Sequence, residues 1–122
     1  MNKPKILVTG SNGLVGQNLV SYLKDLPDYQ VIACSRGENR LDFLSDIKYI
    51  SIDLTSLDEV NYLLEKERPE FIVNCGGVTQ PDYCEQNKEE AYKINVEGVS
   101  NLLNGAFNFN AFFLQLSTDF IF

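Results

Sequence analysis

Three glycines recur at a fixed spacing near the start of the chain. Gly10, Gly13 and Gly16 form a GxxGxxG motif between the apolar run Ile6-Leu7-Val8 and a stretch with helical periodicity. Gly10 permits a tight turn, Gly13 lets a pyrophosphate approach the backbone amides of a helix N-terminus, and Gly16 brings the helix close to the sheet. The motif therefore predicts a dinucleotide-binding turn, and the alternative is a glycine-rich turn that binds no ligand.

The residues after the second apolar run bear on which dinucleotide would bind. Ser35 and Arg36 follow the run Val31-Ile32-Ala33, and Arg36 lies 20 positions after Gly16. An NAD enzyme usually presents a carboxylate there to the ribose 2′-hydroxyl, whereas arginine pairs with a 2′-phosphate through its planar guanidinium group. Arg36 therefore favours NADPH, with NADH as the alternative if Arg36 is solvated and Glu38 or a backbone group meets the ribose.

Asp53 and Leu54 come at the end of the third apolar run. The Asp53 carboxylate can accept a hydrogen bond from an adenine amino group while Leu54 covers the ring. The same stretch is typical of a helix start, with Thr55 or Ser56 as the cap and acidic residues in the first turn. Because Asp53 precedes the cap, both interpretations can hold together.

Small residues follow the fourth apolar run, Phe71-Ile72-Val73. They would let a flat or bulky cofactor group lie against the backbone, although paired glycines are also common in loops without a ligand. The stretch predicted to line the cofactor consists of Cys75, Gly76, Gly77, Val78 and Thr79.

Asn95 is a polar residue on an apolar helical stripe. It lies in the longest helical pattern, residues 82–107, four positions after Ala91 and three before Gly98. A buried amide needs hydrogen-bond partners, because leaving it unpaired costs about 1–3 kcal/mol. We expect Asn95 to bond neighbouring backbone, a role that can coexist with ordering a water molecule in an active site.

Short apolar runs and longer helical patterns alternate along the chain. This alternation predicts an α/β fold, a Rossmann-type doubly wound parallel sheet with about five strands, in one domain over residues 1–122. Polar residues fall at the carboxyl ends of the strands, the edge where open α/β sheets bind ligands. The predicted strands are Ile6–Val8, Val31–Ala33, Tyr49–Ile52, Phe71–Val73 and Phe112–Leu116.

The helical patterns also predict which side chains are buried. The first helix is expected to bury Val15, Leu19, Tyr22, Leu23 and Leu26. The helix before the fourth strand is expected to bury Leu57, Val60, Leu63, Leu64 and Glu67. The longest helix is expected to bury Ala91, Ile94, Gly98, Val99, Leu102, Leu103 and Ala106. The stretch from Gly37 to Ser45 is expected to hold at most one helical turn.

Composition narrows the class of protein. The 122 residues include 10 basic and 17 acidic side chains, for a net charge of -7, with no histidine and three cysteines. This charge opposes non-specific binding to nucleic acid or to an anionic membrane, so neither is an expected partner. Without histidine the chain holds no Ser-His or Cys-His pair, and we expect no metal site. It shows no signal peptide and no bilayer-spanning run, so we expect a cytoplasmic protein.

Several stretches together resemble the extended short-chain dehydrogenase/reductase family, and within it the dTDP-4-dehydrorhamnose reductases. The segment Ser117-Thr118-Asp119-Phe120-Ile121-Phe122 and the segment 79–85 are the more specific parts of the match. The resemblance runs through residues 5–16, 53–54, 74–85, 91–103 and 117–122.

The resemblance implies roles for individual residues. Asn12, Gly13 and Leu14 would contact the pyrophosphate, in a cofactor-binding turn that also includes Gly10, Val15 and Gly16. Asp53 and Leu54 would hold the adenine, and Gly77, Val78 and Thr79 would line the nicotinamide ribose. Thr118 would bond the substrate carbonyl, Asp119 would lie near the sugar, and Asn95 would hold an active-site water.

The resemblance also implies NADPH-dependent reduction of dTDP-4-dehydro-L-rhamnose, a 4-keto sugar nucleotide, to dTDP-L-rhamnose. Family members are longer, and their Tyr-x-x-x-Lys dyad follows the Ser-Thr-Asp strand. We therefore expect this chain to be the N-terminal cofactor-binding part of its parent and inactive alone, with Tyr62 and Lys66 only a surface pair.

Two alternatives to the reductase stay open. One is a non-catalytic regulatory subunit resembling methionine adenosyltransferase beta subunits, and the other is a nucleotide-sugar epimerase with tightly held NAD. In each case the apolar segment Phe120–Phe122 is expected to expose hydrophobic surface and to promote self-association into a homo-oligomer.

Overall fold

A parallel sheet of five strands organises the described part of the chain. The computed structural model describes residues 3–41, 47–76 and 86–116. Its strands are β1 (Lys5–Thr9), β2 (Gln30–Ser35), β3 (Lys48–Ser51), β4 (Phe71–Asn74) and β5 (Phe112–Gln115). They lie in the order β3-β2-β1-β4-β5, and every neighbouring pair is parallel. This is the strand order of a Rossmann fold, which confirms the predicted fold class.

Helices connect the strands and cover both faces of the sheet. They are α1 (Leu14–Leu23), α2 (Leu57–Glu67), α3 (Lys88–Tyr92) and α4 (Gly98–Asn108). A π-helical turn, Lys93–Glu97, joins α3 to α4, so the pattern over 82–107 is not one uninterrupted α-helix. Residues 82–85 of that pattern lie outside the described residues, as do residues 42–45 of the stretch 37–45. Residues 37–41 of that stretch form no helix.

Alternate side chains of β1 divide the core into two layers. Leu7 faces α2 and α4 and packs with Ile72, Leu64 and Leu102. Ile6 and Val8 point to the opposite face, towards α1. Because successive residues of a strand point to opposite faces, one strand supplies both layers.

The predicted buried face of α1 is confirmed at Leu23 and, in part, at Leu19 and Leu26, but it is wrong at Val15 and Tyr22. Val15 and Tyr22 are 56% and 67% exposed, whereas Gly16, Val20 and Leu23 are buried. A Cβ at Gly16 would lie 2.8 Å from Ser11 Cα, so this glycine has to face the turn after β1. That contact centres the buried stripe on positions 16, 20 and 23 and turns Val15 and Tyr22 towards solvent. Leu19 and Leu26 pack at its edge.

The predicted buried stripes of α2 and of the longest helical pattern are confirmed at some positions and not at others. Val60, Leu63, Leu64 and Glu67 are buried on α2, but Leu57 in its first turn is 50% exposed. Ser56 is the N-cap, and its hydroxyl accepts a hydrogen bond from the Glu59 amide, as expected for one of the two proposed caps. Ala91 on α3 and Gly98, Leu102 and Ala106 on α4 are buried, whereas Ile94 and Val99 are half-buried and Leu103 is 52% exposed.

Large apolar side chains are exposed beside β5. Phe107 on α4 is 84% exposed, and Phe112 and Leu114 on β5 are 66% and 48% exposed. The predicted self-association surface, Phe120–Phe122, lies outside the described residues, so self-association stays a prediction. Among the helices described, none combines the length and the apolar character needed to cross a bilayer.

Candidate functional site

A cleft of about 250 Å³ opens at the carboxyl edge of the sheet, where β1, β2, β3 and β4 end. The strand order reverses between β1 and β4 while all strands stay parallel, and this is the place where Rossmann-type sheets bind ligands. Predicted cofactor residues from four separate segments line the cleft: Gly10, Gly13, Ser35, Arg36, Asp53, Leu54, Cys75 and Gly76. Thr9, Cys34, Ile52, Thr55 and Ile94 also line it, although sequence analysis assigned them no role there.

The glycine turn after β1 is packed tightly on one side. Gly10 has a φ of +74°, and a Cβ there would lie 2.5 Å from Gly76 Cα. A Cβ at Gly16 would collide with the carbonyl oxygen of Gly10. These two positions require glycine for the protein's own packing, as their predicted roles imply.

Gly13 differs from Gly10 and Gly16 because its surroundings leave room for a Cβ. A Cβ there would meet only the Gly10 carbonyl oxygen, 3.5 Å away, which is an ordinary van der Waals contact. Packing among the described residues therefore does not explain the glycine. The backbone at this position is open for close approach by a ligand.

The N-terminus of α1 beside Gly13 is suited to an anion. Gly13 is the N-cap and has no side chain to bond the first amides of the helix, and the first turn holds no acidic residue. Those amides lack partners within the helix, and the helix dipole adds partial positive charge. Leu14 and Val15 are both exposed and do not line the cleft, so they would meet a ligand through backbone amides alone.

A partly buried hydrogen-bond network fixes the loop that faces Gly10. The Thr9 hydroxyl donates to Asn74 Oδ1 at 2.6 Å, and the Gly76 amide donates to the same oxygen at 3.0 Å. Asn74 Nδ2 donates to Gln115 Oε1 at 2.8 Å, which ties β4 to β5. Sequence analysis missed this network, since the three polar side chains lie on strands that are distant in the sequence.

Asp53 is held as a carboxylate at the rim of the cleft. The Thr55 hydroxyl and amide donate to Asp53 Oδ1 at 2.7 and 3.0 Å. The bond from the Thr55 hydroxyl, helped by the positive charge of Arg36, lowers the pKa of Asp53. The side chain is therefore an acceptor at neutral pH.

The long helix holds Leu54 in place from behind. Asn101 Nδ2 donates to the Leu54 carbonyl oxygen at 2.9 Å, and a Cβ at Gly98 would lie 3.3 Å from Leu54 Cβ. Asn101 is a positioning residue for Leu54. The sequence did not identify it, because no spacing pattern distinguishes this asparagine from a solvent-exposed residue on a helix.

Asn12 makes contacts other than those implied by the resemblance. Its Nδ2 donates to the Glu38 carbonyl oxygen at 2.8 Å, and its Oδ1 accepts from the Arg40 amide at 2.9 Å. The side chain thus bridges the glycine turn and the loop after β2. A pyrophosphate contact at Asn12 stays a prediction.

Asn95 lies in the π-helical turn beside Ile94, which lines the cleft. It is half-buried, so the apolar stripe does not enclose it as the sequence predicted. The wider π-helical turn shifts its position relative to the flanking α-helices. Gly77, Val78, Thr79, Thr118 and Asp119 lie outside the described residues, and their roles stay predictions.

The two cysteines at the cleft are not activated nucleophiles. Burial raises the pKa of Cys34 to about 12, and burial also raises the pKa of the half-buried Cys75. Both thiols keep their protons at neutral pH, and a thiol is a poor nucleophile compared with a thiolate. The described residues of the cleft present backbone amides, one arginine and one carboxylate around an apolar floor.

Comparison with known proteins assigns the chain to a family. The family model described as "RmlD substrate binding domain" matches residues 4–122. The chain belongs to this family. It is 32% identical over 118 residues to a dTDP-4-dehydrorhamnose reductase of Aggregatibacter actinomycetemcomitans, covering 97% of this chain and 36% of that protein.

Two further relatives show the range of the family. The crystal structure of a dTDP-4-dehydrorhamnose reductase from Clostridium acetobutylicum has a TM-score of 0.78 and 33% identity, and the match covers 97% of this chain and 37% of that one. Methionine adenosyltransferase 2 subunit beta of Rattus norvegicus is 25% identical, over 97% of this chain and 33% of that protein. The chain spans about a third of the length of the curated relatives it matches.

Proposed function

We propose that the cleft binds NADPH and that the protein containing this chain reduces a 4-keto sugar nucleotide, dTDP-4-dehydro-L-rhamnose. One observation carries the proposal. The uncapped N-terminus of α1, Arg36 and the Asp53 carboxylate belong to one cleft region at the carboxyl edge of a Rossmann-type sheet. These groups match the pyrophosphate, the 2′-phosphate and the adenine amino group of one ligand.

Each half of the nucleotide has its own contacts in this proposal. The first amides of α1 would bind the pyrophosphate, with Gly13 leaving room for its approach. Arg36 would pair with the 2′-phosphate through two parallel hydrogen bonds. Asp53 would accept from the adenine amino group, and Leu54 would cover the ring. Both Thr55 bonds fall on Oδ1, so Oδ2 of Asp53 would face the adenine.

The reacting end of the cofactor would lie towards the carboxyl ends of β4 and β5. Bound NADPH supplies the hydride. Gly77, Val78 and Thr79 would line its nicotinamide ribose, Thr118 would donate to the substrate carbonyl, and Asp119 would contact the sugar. Asn95 would position a water molecule.

The direct test of this proposal is turnover. The full-length protein that contains the chain is expected to oxidise NADPH in the presence of dTDP-4-dehydro-L-rhamnose, followed by the loss of NADPH absorbance. The 122-residue chain alone is expected to give no turnover. No oxidation by the full-length protein, or turnover by the isolated chain, would contradict the proposal.

A non-catalytic regulatory subunit is the second candidate, because the methionine adenosyltransferase 2 subunit beta relatives match as much of the chain as the reductases do. NADPH binding without NADPH oxidation by the full-length protein would favour this candidate. The two functions share the cofactor cleft and differ in chemistry.

A further inference from the structure

The peptide groups on either side of Arg36 converge on one tyrosine. The hydroxyl of Tyr49, on β3, lies 2.7 Å from the carbonyl oxygen of Gly37 and 3.2 Å from that of Ser35. Ser35 and Gly37 flank Arg36 directly in the sequence. A single side chain on the neighbouring strand therefore contacts the backbone both before and after the arginine.

Other bonds complete the anchoring of this segment. The Ile52 amide donates to the Ser35 carbonyl oxygen at 2.9 Å, and the Gly37 amide donates to Ser51 Oγ at 3.2 Å. Gly37 has a φ of +90°, so the chain turns sharply just after Arg36. The backbone of Arg36 is thus fixed from β3, and the freedom that remains is in its side chain.

The same hydroxyl connects this segment to the glycine turn. Asn12 Nδ2 lies 3.3 Å from the Tyr49 hydroxyl and 2.8 Å from the Glu38 carbonyl oxygen, so its two protons have two acceptors. The half-buried Tyr49 keeps its hydroxyl proton, because burial raises its pKa, and it can donate to Gly37 while it accepts from Asn12. The glycine turn and the segment around Arg36 are therefore linked through this atom.

We propose that Tyr49 is a positioning residue for 2′-phosphate recognition: its hydroxyl holds the backbone of Arg36 at a fixed distance from the glycine turn, where the same dinucleotide is bound. This inference rests on the proposed NADPH site. Preorganisation of this kind lowers the ordering cost of binding, and it acts on NADPH more than on NADH because NADH lacks the group that Arg36 would bind.

The test measures binding of NADPH and NADH by calorimetric titration of the full-length protein. Tyr49→Phe removes the hydroxyl and keeps the ring that packs against the α1 layer. The dissociation constant for NADPH is expected to rise about fivefold, as for one lost hydrogen bond, while that for NADH changes less than about twofold. Tyr62→Phe is the matched control, since Tyr62 is 67% exposed on α2, and it should change neither constant.

A double substitution separates positioning from general stability. Arg36→Ala is expected to bring the two dissociation constants close together. Adding Tyr49→Phe to Arg36→Ala should then leave their ratio unchanged, because a positioning residue has no effect once the group it positions is gone. Should Tyr49→Phe fail to fold, Ser51→Ala removes the acceptor for the Gly37 amide and should shift the ratio in the same direction.

The outcomes distinguish this inference from the proposed cofactor preference. If Arg36→Ala leaves the NADPH-to-NADH ratio unchanged, Arg36 does not recognise the 2′-phosphate and both proposals lose their basis. If Arg36→Ala makes the dissociation constants for NADPH and NADH equal but Tyr49→Phe does not alter their ratio, the NADPH site stands and the positioning role is overturned. Equal weakening of both nucleotides by Tyr49→Phe also overturns it.

Discussion

Gly10 and Gly37 both have positive φ, but their surroundings differ. A Cβ at Gly10 would lie 2.5 Å from Gly76 Cα, whereas a Cβ at Gly37 would meet nothing within 4 Å. Left-handed backbone alone costs a non-glycine residue about 1–2 kcal/mol. Alanine substitutions at these two positions therefore separate the energetic cost of backbone strain from the cost of a steric collision.

We expect Gly10→Ala to lower the free energy of unfolding by at least about 3 kcal/mol, because strain and collision add. Gly37→Ala should lower it by about 1–2 kcal/mol, from strain alone. Chemical denaturation of both variants measures the difference. Equal losses of unfolding free energy in the two variants would show that the close approach of Gly10 to Gly76 does not add to the cost of a Cβ at Gly10.

Single residues were predictable where a backbone constraint fixes the residue type. The roles of Gly10 and Gly16 followed from the spacing of the motif. The contacts of Asn12 did not, because its partners Glu38 and Arg40 reach it only through the path of the loop after β2. Tyr49 was missed for the same reason, since a tyrosine in a strand is ordinarily read as a packing residue.

Three elements are joined at the amino edge of the sheet by a buried carboxylate. Glu67 on α2 is 4% exposed and contacts Lys48 of β3 at 2.8 Å and Lys5 of β1 at 3.5 Å. The hydrogen bond from Lys48 lowers the pKa of Glu67 below its ordinary value of 4.5. Because the folded-state pKa is depressed, the ionised carboxylate stabilises the fold above the unfolded-state pKa, and this contribution disappears as pH falls through the folded-state value.

We expect Glu67→Gln to lower the free energy of unfolding by about 1–3 kcal/mol at neutral pH. The difference from the wild type should shrink as pH falls below about 4.5 and vanish once Glu67 is protonated in both states. Urea denaturation across this pH range measures it. Glu65→Gln, on the exposed side of the same helix, should have little effect at any pH, and a pH-independent loss for Glu67→Gln would contradict the assignment.

At the scale of elements, hydrophobic periodicity predicted the strands to within two residues at each end. It did not predict the π-helical turn at Lys93–Glu97, because five residues of altered hydrogen bonding barely disturb the apolar pattern on either side. It also placed Val15 and Tyr22 on the buried stripe of α1, although both are exposed. The contact of Gly16 with the turn after β1, which sets that face, depends on tertiary packing.

The whole molecule gathers segments from across the chain at one edge of the sheet. The strand order β3-β2-β1-β4-β5 brings Gly10, Gly13 and residues 35–36, 53–55 and 75–76 around a single cleft. Their convergence was predictable once the strands were taken as parallel, since all carboxyl ends then meet at one edge. The polar networks that support the cleft were not, because Thr9, Asn74 and Gln115 become neighbours only in the folded sheet.

We expect a dinucleotide to place its pyrophosphate against the backbone at Gly13, and calorimetric titration of NADPH into the full-length wild type and its Gly13→Ala variant tests this placement directly. The substitution should change the free energy of unfolding by about 1 kcal/mol or less, because the added Cβ meets only the Gly10 carbonyl oxygen at 3.5 Å. NADPH affinity should fall by about tenfold or more, because the Cβ occupies the path of the pyrophosphate. Equal affinity in the two proteins, or no binding to the wild type, would contradict this placement of the pyrophosphate.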